Sequence, residues 1–396
     1  MTVWATPPGV LRAAVSDLDP PFGVLDDAAL RANAADLVRR AGGRPIRLAT
    51  KSLRIRELIR RTVDTAGFSG LLAYALPEAL WLQRNGFHDI VVGYPAVNRA
   101  AMAALTSSPE ASAEITLMID DAAQLDLIDR VCPPRSRPDV RVCLELDAGY
   151  RPAPGVHLGA LRSPVRTPAA VRALARTIAD RPGFRLVGMM AYEGQIAGVG
   201  NAVGGPRGTA VRTMQRRSAA ELADRRAAAV AAVREVADLE FVNGGGTGSL
   251  ESTAAEDAVT EVAAGSGLLG PGLFDHYRGF HPAAASFFVL PVVRRPGRRV
   301  ATLAGGGWVA SGPPGRDRLP VLADPPGLRY AGQEGPGEVQ TPVRGKAADR
   351  LRIGDQVWLR HAKSGEPAEH LTEVHLVADG AVAAVWPTYR GEGQVF

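Results

Sequence analysis

Short apolar runs alternate with amphipathic helical stretches from Gly23 to Asn243, and this rhythm constrains the fold more than any other feature. The runs are Gly23–Leu25, Ile46–Thr50, Leu71–Ala75, Ile90–Gly93, Ile115–Asp120, Val140–Leu146, Leu186–Ala191 and Leu239–Asn243. Helical periodicity fills the gaps at Ala28–Arg40, Ile55–Ala66, Pro77–Asn85, Asn98–Leu105, Ala122–Val131, Pro168–Asp180 and Thr209–Ala237. The runs are apolar on both sides, as strands covered on both faces must be. Eight strand-plus-helix units over about 250 residues predict an α/β chain with a (β/α)8 TIM-type barrel. A doubly wound open sheet shares the alternation, but the strand count and the lack of an early G-x-G-x-x-G favour the barrel.

Beyond Gly279 the rhythm changes. Ser286–Val293, Arg298–Leu303, Val357–Arg360, Glu373–Val377 and Ala381–Val385 read as short strands between Gly/Pro turns, and Ser311–Pro342 reads as loop. The expected organisation is a barrel over residues 20–279 followed by a C-terminal all-β domain made of 1–19 and 280–396.

A composition of 46% hydrophobic and 22% charged residues excludes a mostly disordered chain. The net charge of +5 comes with acidic residues interleaved throughout, so no nucleic-acid partner is expected. No apolar run has the length of a membrane span, and the N-terminus lacks the layout of a signal peptide. Two cysteines, Cys132 and Cys143, without metal-type spacing predict a reduced, cytoplasmic protein. Of 46 basic residues, 43 are arginine. The three lysines are Lys51, Lys346 and Lys363, and each deserves scrutiny because arginine cannot do amine chemistry.

Catalytic groups of a barrel lie at the C-terminal ends of its strands. Lys51 ends the second run, where an amine is suited to a Schiff base. Position alone fits equally a lysine that caps the next helix. The sixth run ends at Glu145–Arg151 and places Asp147 and Arg151 at the mouth, as a ligand site or as an internal ion pair. The seventh brings Tyr192, for stacking or for packing, followed by the glycine-rich stretch Ile196–Gly208, which reads as a lid. The eighth ends in Asn243-Gly244-Gly245-Gly246-Thr247-Gly248-Ser249, and Ala264-Gly265-Ser266-Gly267 follows nearby. Glycine runs at this point of a barrel suit a phosphate. A phosphate together with an amine-reactive carbonyl describes pyridoxal 5'-phosphate (PLP). A sugar-phosphate barrel with Lys51 as its aldolase lysine remains open from the residues alone.

With these motifs in this order, the sequence resembles the fold-type III PLP enzymes, the alanine racemase-like barrels, and within them the D-threonine aldolase / D-serine dehydratase branch. Pro21-Phe22-Gly23-Val24-Leu25-Asp26, the Lys51 segment, Glu145–Arg151, Ala191-Tyr192-Glu193-Gly194 and Gly244-Gly245-Gly246-Thr247 carry the resemblance. It implies a Schiff base on Lys51, Arg151 near the cofactor's ring oxygen, Tyr192 beside the ring, and Asn243 in the cofactor site. It implies phosphate held by Gly245, Gly246, Thr247, Gly265 and Ser266, and a homodimer whose second domain covers the barrel mouth. Ala304-Gly305-Gly306-Gly307-Trp308 stands where relatives carry an acidic residue, so no role is assigned to it.

In that branch a histidine, followed two residues later by a second ligand, binds a divalent metal such as Mn, Mg or Zn. His361 matches, but Lys363 occupies the second position, and an ammonium repels a cation. Three readings stay open. Glu366, Glu369 or His370 completes the metal site; the Lys363 ammonium replaces the metal; or His361 is only a satisfied polar residue. His375 reads as a solvent-facing strand residue. The function implied is a lyase acting on small-molecule amino acid and aldehyde substrates, with catalytic residues Lys51, His361 and Lys363. The leading activity is aldol cleavage of D-β-hydroxy-α-amino acids; dehydratase, racemase and non-catalytic PLP carrier are the alternatives in that order.

Overall fold

The computed structural model describes residues 7–313 and 315–396. Residues 1–6, assigned above to the β domain, and Pro314, within the stretch read as loop, lie outside the described residues. The chain divides into two compact units. One comprises the chain up to Asp36, Ser52–Ile59 and Ser266–Val395; the other comprises Leu37–Lys51, Arg60–Gly265 and Phe396.

The strand β1 (Phe22–Asp26) opens the chain's strand order. It is followed by β2 (Ile46–Ala49), β3 (Phe68–Ala73), β4 (Ile90–Val92), β5 (Ile115–Ile119), β6 (Val140–Glu145), β7 (Phe184–Ala191), β8 (Phe241–Gly244) and β9 (Glu261–Ala264). Strands β2 to β9 close into the expected eight-stranded parallel barrel, with β9 pairing back onto β2. Helices form the connections, and their starts are written in the sequence. The Asn98 side chain accepts the Ala101 N–H at 2.9 Å, and Asp121 and Gln124 form a capping box.

The barrel count needs one correction. The run around Gly23 is not a barrel strand: β1 belongs to the unit that contains Ser266–Val395, where Phe22 stands opposite Val289 on an antiparallel neighbour and Gly23 opposite Val374 on a parallel one. The missing eighth strand is β9, whose four residues begin with a glutamate. Lys51 therefore follows the first barrel strand, and the Gly244–Gly248 loop follows the seventh.

Inside the barrel, Leu72, Val91, Met118, Cys143, Val187, Met190 and Phe241 from β3 to β8 form one apolar cluster. The β2–β9 seam is polar instead. Arg47 on β2 and Glu261 on β9 are both buried and joined by two hydrogen bonds, Nε to Oε1 at 2.6 Å and Nη2 to Oε2 at 2.8 Å. Asn243 on β8 adds a third contact to Glu261 Oε1 at 2.8 Å, and Asp89 holds the far side of the guanidinium at 3.0 Å.

The unit that contains Ser266–Val395, the β unit, holds a nine-stranded, mostly antiparallel sheet. Its strands after β1 are β10 (Ser286–Gly297), β11 (Val300–Ala304), β12 (Val321–Asp324), β13 (Arg329–Tyr330), β14 (Gln340–Arg344), β15 (Gln356–Arg360), β16 (Glu373–Ala378) and β17 (Ala381–Pro387). The period of two along β10 separates two cores. Phe288, Leu290 and Val292 face one, while Phe287 and Val289 face the other with Leu11, Val15 and Trp358. The stretch Ser311–Pro342 contains β12, β13 and the start of β14, too short and too interrupted by Pro and Gly to stand out in sequence. His375 is buried rather than solvent-facing, stacked on Phe22 at 5.7 Å because β16 pairs with β1.

Removing one partner of a buried ion pair leaves the other uncompensated, at a cost of about 3–5 kcal/mol. Glu261→Leu leaves Arg47 only the half-exposed Asp89 and is therefore expected to lower unfolding free energy in denaturant by an amount toward the low end of that range, about 3 kcal/mol. A loss below about 1 kcal/mol, the scale of an exposed pair, would contradict the role of the seam.

Candidate active site

The site of the barrel unit is built on the ends of its strands. Lys51 lies in the single 3-10 turn Thr50–Ser52 that follows β2. Its Nζ donates to the Tyr94 phenol oxygen at 2.7 Å, and Tyr94 lies two residues past the end of β4. Arg162 reaches the same oxygen with Nη2 at 3.3 Å. Its guanidinium sits 4.8 Å from the ring centres of both Tyr94 and Tyr192. Glu145, at the end of β6, balances it at 3.1 Å. Burial raises the Glu145 carboxyl pKa more than Arg162 lowers it. Burial also pushes the Tyr94 phenol up, but Lys51 and Arg162 together outweigh it and leave the phenol below its usual pKa.

Arg151, named above for the cofactor's ring oxygen, pairs with Asp147 at 2.9 Å and keeps 48% of its side chain exposed. Asp147 itself is buried and accepts the Gly149 N–H at 2.8 Å, so it shapes the loop after β6. Asn243 is directed to Glu261 within the barrel. Arg162 was hidden in the sequence because it lies well past the end of β6, one arginine among 43. Tyr94 obeys the same strand-end rule that found Lys51 and was legible.

The glycine loop after β8 rests on a buried carboxylate. Glu193, at 1% exposure, receives Arg226 Nη2 at 3.0 Å, the Gly245 N–H at 3.2 Å, Ser249 Oγ at 3.1 Å and the Thr253 hydroxyl. Buried Arg40 props the loop from the other side, donating to the Thr247 carbonyl at 2.6 Å. The Gly245 N–H is thus engaged in holding the loop, and the Gly246 N–H donates to Ser249 Oγ at 3.2 Å. Close approach requires glycine at Gly265 and leaves little space beside Gly246. A Cβ on Gly246 would stand 3.2 Å from the Tyr192 ring, and one on Gly265 would stand 2.5 Å from the Ala49 carbonyl oxygen. These contacts set the two glycine runs beside Tyr192 and beside the end of β2, two residues before Lys51. Ser266 follows Gly265 directly and opens a four-residue helix. The stretch read as a lid is partly folded: Gly194–Ala197 is helical, and the long helix Gly205–Arg234 has begun before Gly208.

The β unit carries the His361 group. His361 follows β15, and its neighbour Arg360 is fully buried, donating to the Gly270 carbonyl at 2.6 Å and pairing with Asp275 at 3.0 Å. His361 Nε2 meets the Trp308 carbonyl at 2.9 Å. Its Nδ1 lies against the Lys363 carbonyl and accepts the Lys363 N–H at 3.1 Å. Burial lowers the His361 pKa to about 4, so the ring is neutral at neutral pH. The Lys363 ammonium donates to the Ser311 carbonyl at 2.7 Å. Glu366 approaches His361 Nδ1 only to 3.6 Å, Glu369 is taken by Arg54 at 2.5 Å and by Arg390, and His370 lies flat on Trp308 at 4.7 Å. Among the described residues no three His, Cys, Asp or Glu side chains converge as metal ligands. With both His361 nitrogens facing backbone and a cation at the second ligand position, this donor set does not fit a divalent metal. His361 and Lys363 also line an open pocket whose walls include Leu53, Ile55, Phe287, Leu371 and Val374.

Glu193→Gln keeps the shape of the side chain but replaces one acceptor oxygen with a donor. Unsatisfied buried donors cost about 1–3 kcal/mol. The substitution is expected to reduce stability by that amount in denaturant unfolding; wild-type stability would show that the carboxylate does not hold the loop.

Residues 25–271 match the family described as alanine racemase, N-terminal domain. The D-threonine aldolase of Arthrobacter sp. is 27% identical over 294 residues, 72% of this chain and 71% of that protein. The 3-hydroxy-D-aspartate aldolase of Paracoccus denitrificans is 26% identical over 253 residues, and the match spans 63% of this chain and 60% of that enzyme's length. Among solved structures, D-threonine aldolase from Filomicrobium marinum matches with a TM-score of 0.75 at 20% identity, covering 96% of this chain and 98% of that one. D-threo-3-hydroxyaspartate dehydratase from Delftia sp. matches with a TM-score of 0.72 at 20% identity, covering 95% and 98%. At those identities the structural likeness establishes the fold. No helix of the described residues is long and apolar enough to cross a membrane. The family match spans more than half the sequence, and the chain belongs to the family built on the alanine racemase N-terminal domain.

Proposed function

We propose that the chain is a PLP-dependent lyase, an aldolase that interconverts D-β-hydroxy-α-amino acids such as D-threonine with glycine and an aldehyde. The observation that carries the reading is the Lys51 amine at a barrel strand end, hydrogen-bonded to Tyr94 at 2.7 Å and sharing Tyr94's oxygen with Arg162. The names of the Arthrobacter and Paracoccus relatives support cleavage between Cα and Cβ.

The residues present fit the cofactor. When bound, PLP supplies an electron sink for the pair released at Cα. Lys51 is the amine for its carbonyl carbon. Tyr192 is a ring wall, and a Cβ on Gly246 would press against it at 3.2 Å. The phosphate is assigned to Thr247, Gly265 and Ser266, whose approach to an anion is backbone-led. Gly245 and Gly246 serve that loop through their N–H bonds to Glu193 and Ser249. Arg162 is our choice of cation for an anionic oxygen of the bound cofactor or substrate, since its guanidinium lies 4.8 Å from the ring centres of Tyr94 and Tyr192 and beside the partner of Lys51. We assign no step to a metal, nor to His361 and Lys363, whose polar atoms are engaged with backbone.

Incubation of the PLP-loaded protein with D-threonine tests the reading. Equal amounts of glycine and acetaldehyde are expected, with L-threonine untouched and the rate unchanged by a chelator or by added Mn, Mg or Zn. Production of 2-oxobutanoate and ammonia would replace the aldolase with a dehydratase. Activity lost to the chelator and restored by one of these ions would overturn the reading of the His361 group.

A further inference from the structure

We propose that Tyr94 is a catalytic residue that carries the proton of the Lys51 amine whenever that amine forms or breaks its bond to a carbonyl carbon. The inference rests on the PLP reading above and extends it to a residue that no family motif in this sequence picks out.

An ammonium has no lone pair and cannot attack a carbonyl carbon. A lysine ordinarily titrates near pH ~10.4, so at neutral pH something must remove its proton. The Tyr94 oxygen is placed for this, 2.7 Å from Lys51 Nζ. Phenols and lysine amines have ordinary pKa values about half a unit apart. Groups with such neighbouring ordinary values, in hydrogen-bond contact, can exchange a proton in either direction, which acid–base catalysis requires.

The surroundings favour the phenolate as the receiving form. Two cations face the oxygen, Lys51 and Arg162, and Arg162 is in turn faced by Glu145 and Tyr192. Asp120 bears on Glu145 from the end of β5. Against the penalty of burial, Lys51 and Arg162 hold the phenol below its usual range. The step balances simply. An N–H bond of Lys51 breaks and an O–H bond of Tyr94 forms, turning ammonium and phenolate into amine and phenol. The pair's total charge does not change, and no oxidant or reductant is involved. The reverse transfer restores the ammonium when substrate displaces Lys51. A phenylalanine would fill the same space, and a carboxylate, with its far lower pKa, would hold the proton on lysine instead.

The test uses the full chain freed of cofactor. In wild type minus Tyr94→Phe, the pH-dependent tyrosinate absorbance is expected to show one tyrosine ionising below the usual range. The rate at which PLP bonds to Lys51, followed by the shift of its visible absorbance, is expected to fall about 10²-fold at neutral pH, the scale of a lost acid–base group. That deficit should close as pH rises toward lysine's own range. A merely structural role would give a deficit independent of pH. Equal rates at neutral pH, or a constant deficit, would overturn the proposal. If Tyr94→Phe fails to fold, difluorotyrosine at position 94 should shift the pH profile of the rate downward, and an unshifted profile would overturn it. A wild-type chain that gains no absorbance with PLP removes the functional reading itself, whereas binding with equal rates removes only the role of Tyr94.

Discussion

The closure of β9 onto β2 is the constraint on which the barrel unit depends. In this register Ile46 stands opposite Val262 and Leu48 opposite Ala264, and Gly265, one residue on, and Lys51, three residues on, leave the same seam. Four-residue strands offer few ladder bonds, so the bidentate Arg47–Glu261 contact inside the barrel reinforces the pairing. A buried ion pair is favourable only when its remaining donors and acceptors are met. Asn243 and Asp89 meet them here. The glycine loop after β8 follows the same rule, with Glu193 accepting from Arg226, Ser249, Thr253 and Gly245. Both charge clusters therefore fix the backbone from which the site's donors project.

Much of this architecture was legible in the sequence, because strands buried on both faces and capped helices leave strong local signatures. Ala122–Val131 emerged with the bounds read from its periodicity. What failed was local information about partners. The apolar run at Phe22 suits a central strand of any sheet, and only its pairing with β10 and β16 assigns it to the β unit. The opposite error hid β9, where Glu261 interrupts the apolar pattern because its partner Arg47 lies far away in sequence. Lys51 stood out through scarcity, whereas Arg162, Arg226 and Arg40 were invisible in an arginine-rich chain. Position past a strand end identified Lys51 and would have identified Tyr94.

The His361 group is a case in which chemistry overrides resemblance. A histidine at the expected place invites a metal, yet an ammonium two residues on, a carbonyl at 2.9 Å from Nε2 and a backbone N–H on Nδ1 describe a closed polar network. Glu369, a candidate replacement ligand, spends its charge on Arg54 and Arg390. The β unit's histidine is therefore neutral and held by backbone on both ring nitrogens.

The central claim is that one of three lysines bonds the cofactor. It is tested most directly by loading the protein with PLP, reducing with borohydride, and mapping the modified residue by peptide mass spectrometry. The account predicts a pyridoxyl group on Lys51, in stoichiometric yield, and none on Lys346 or Lys363. Modification of either of those residues, or a chain left unmodified, would contradict it.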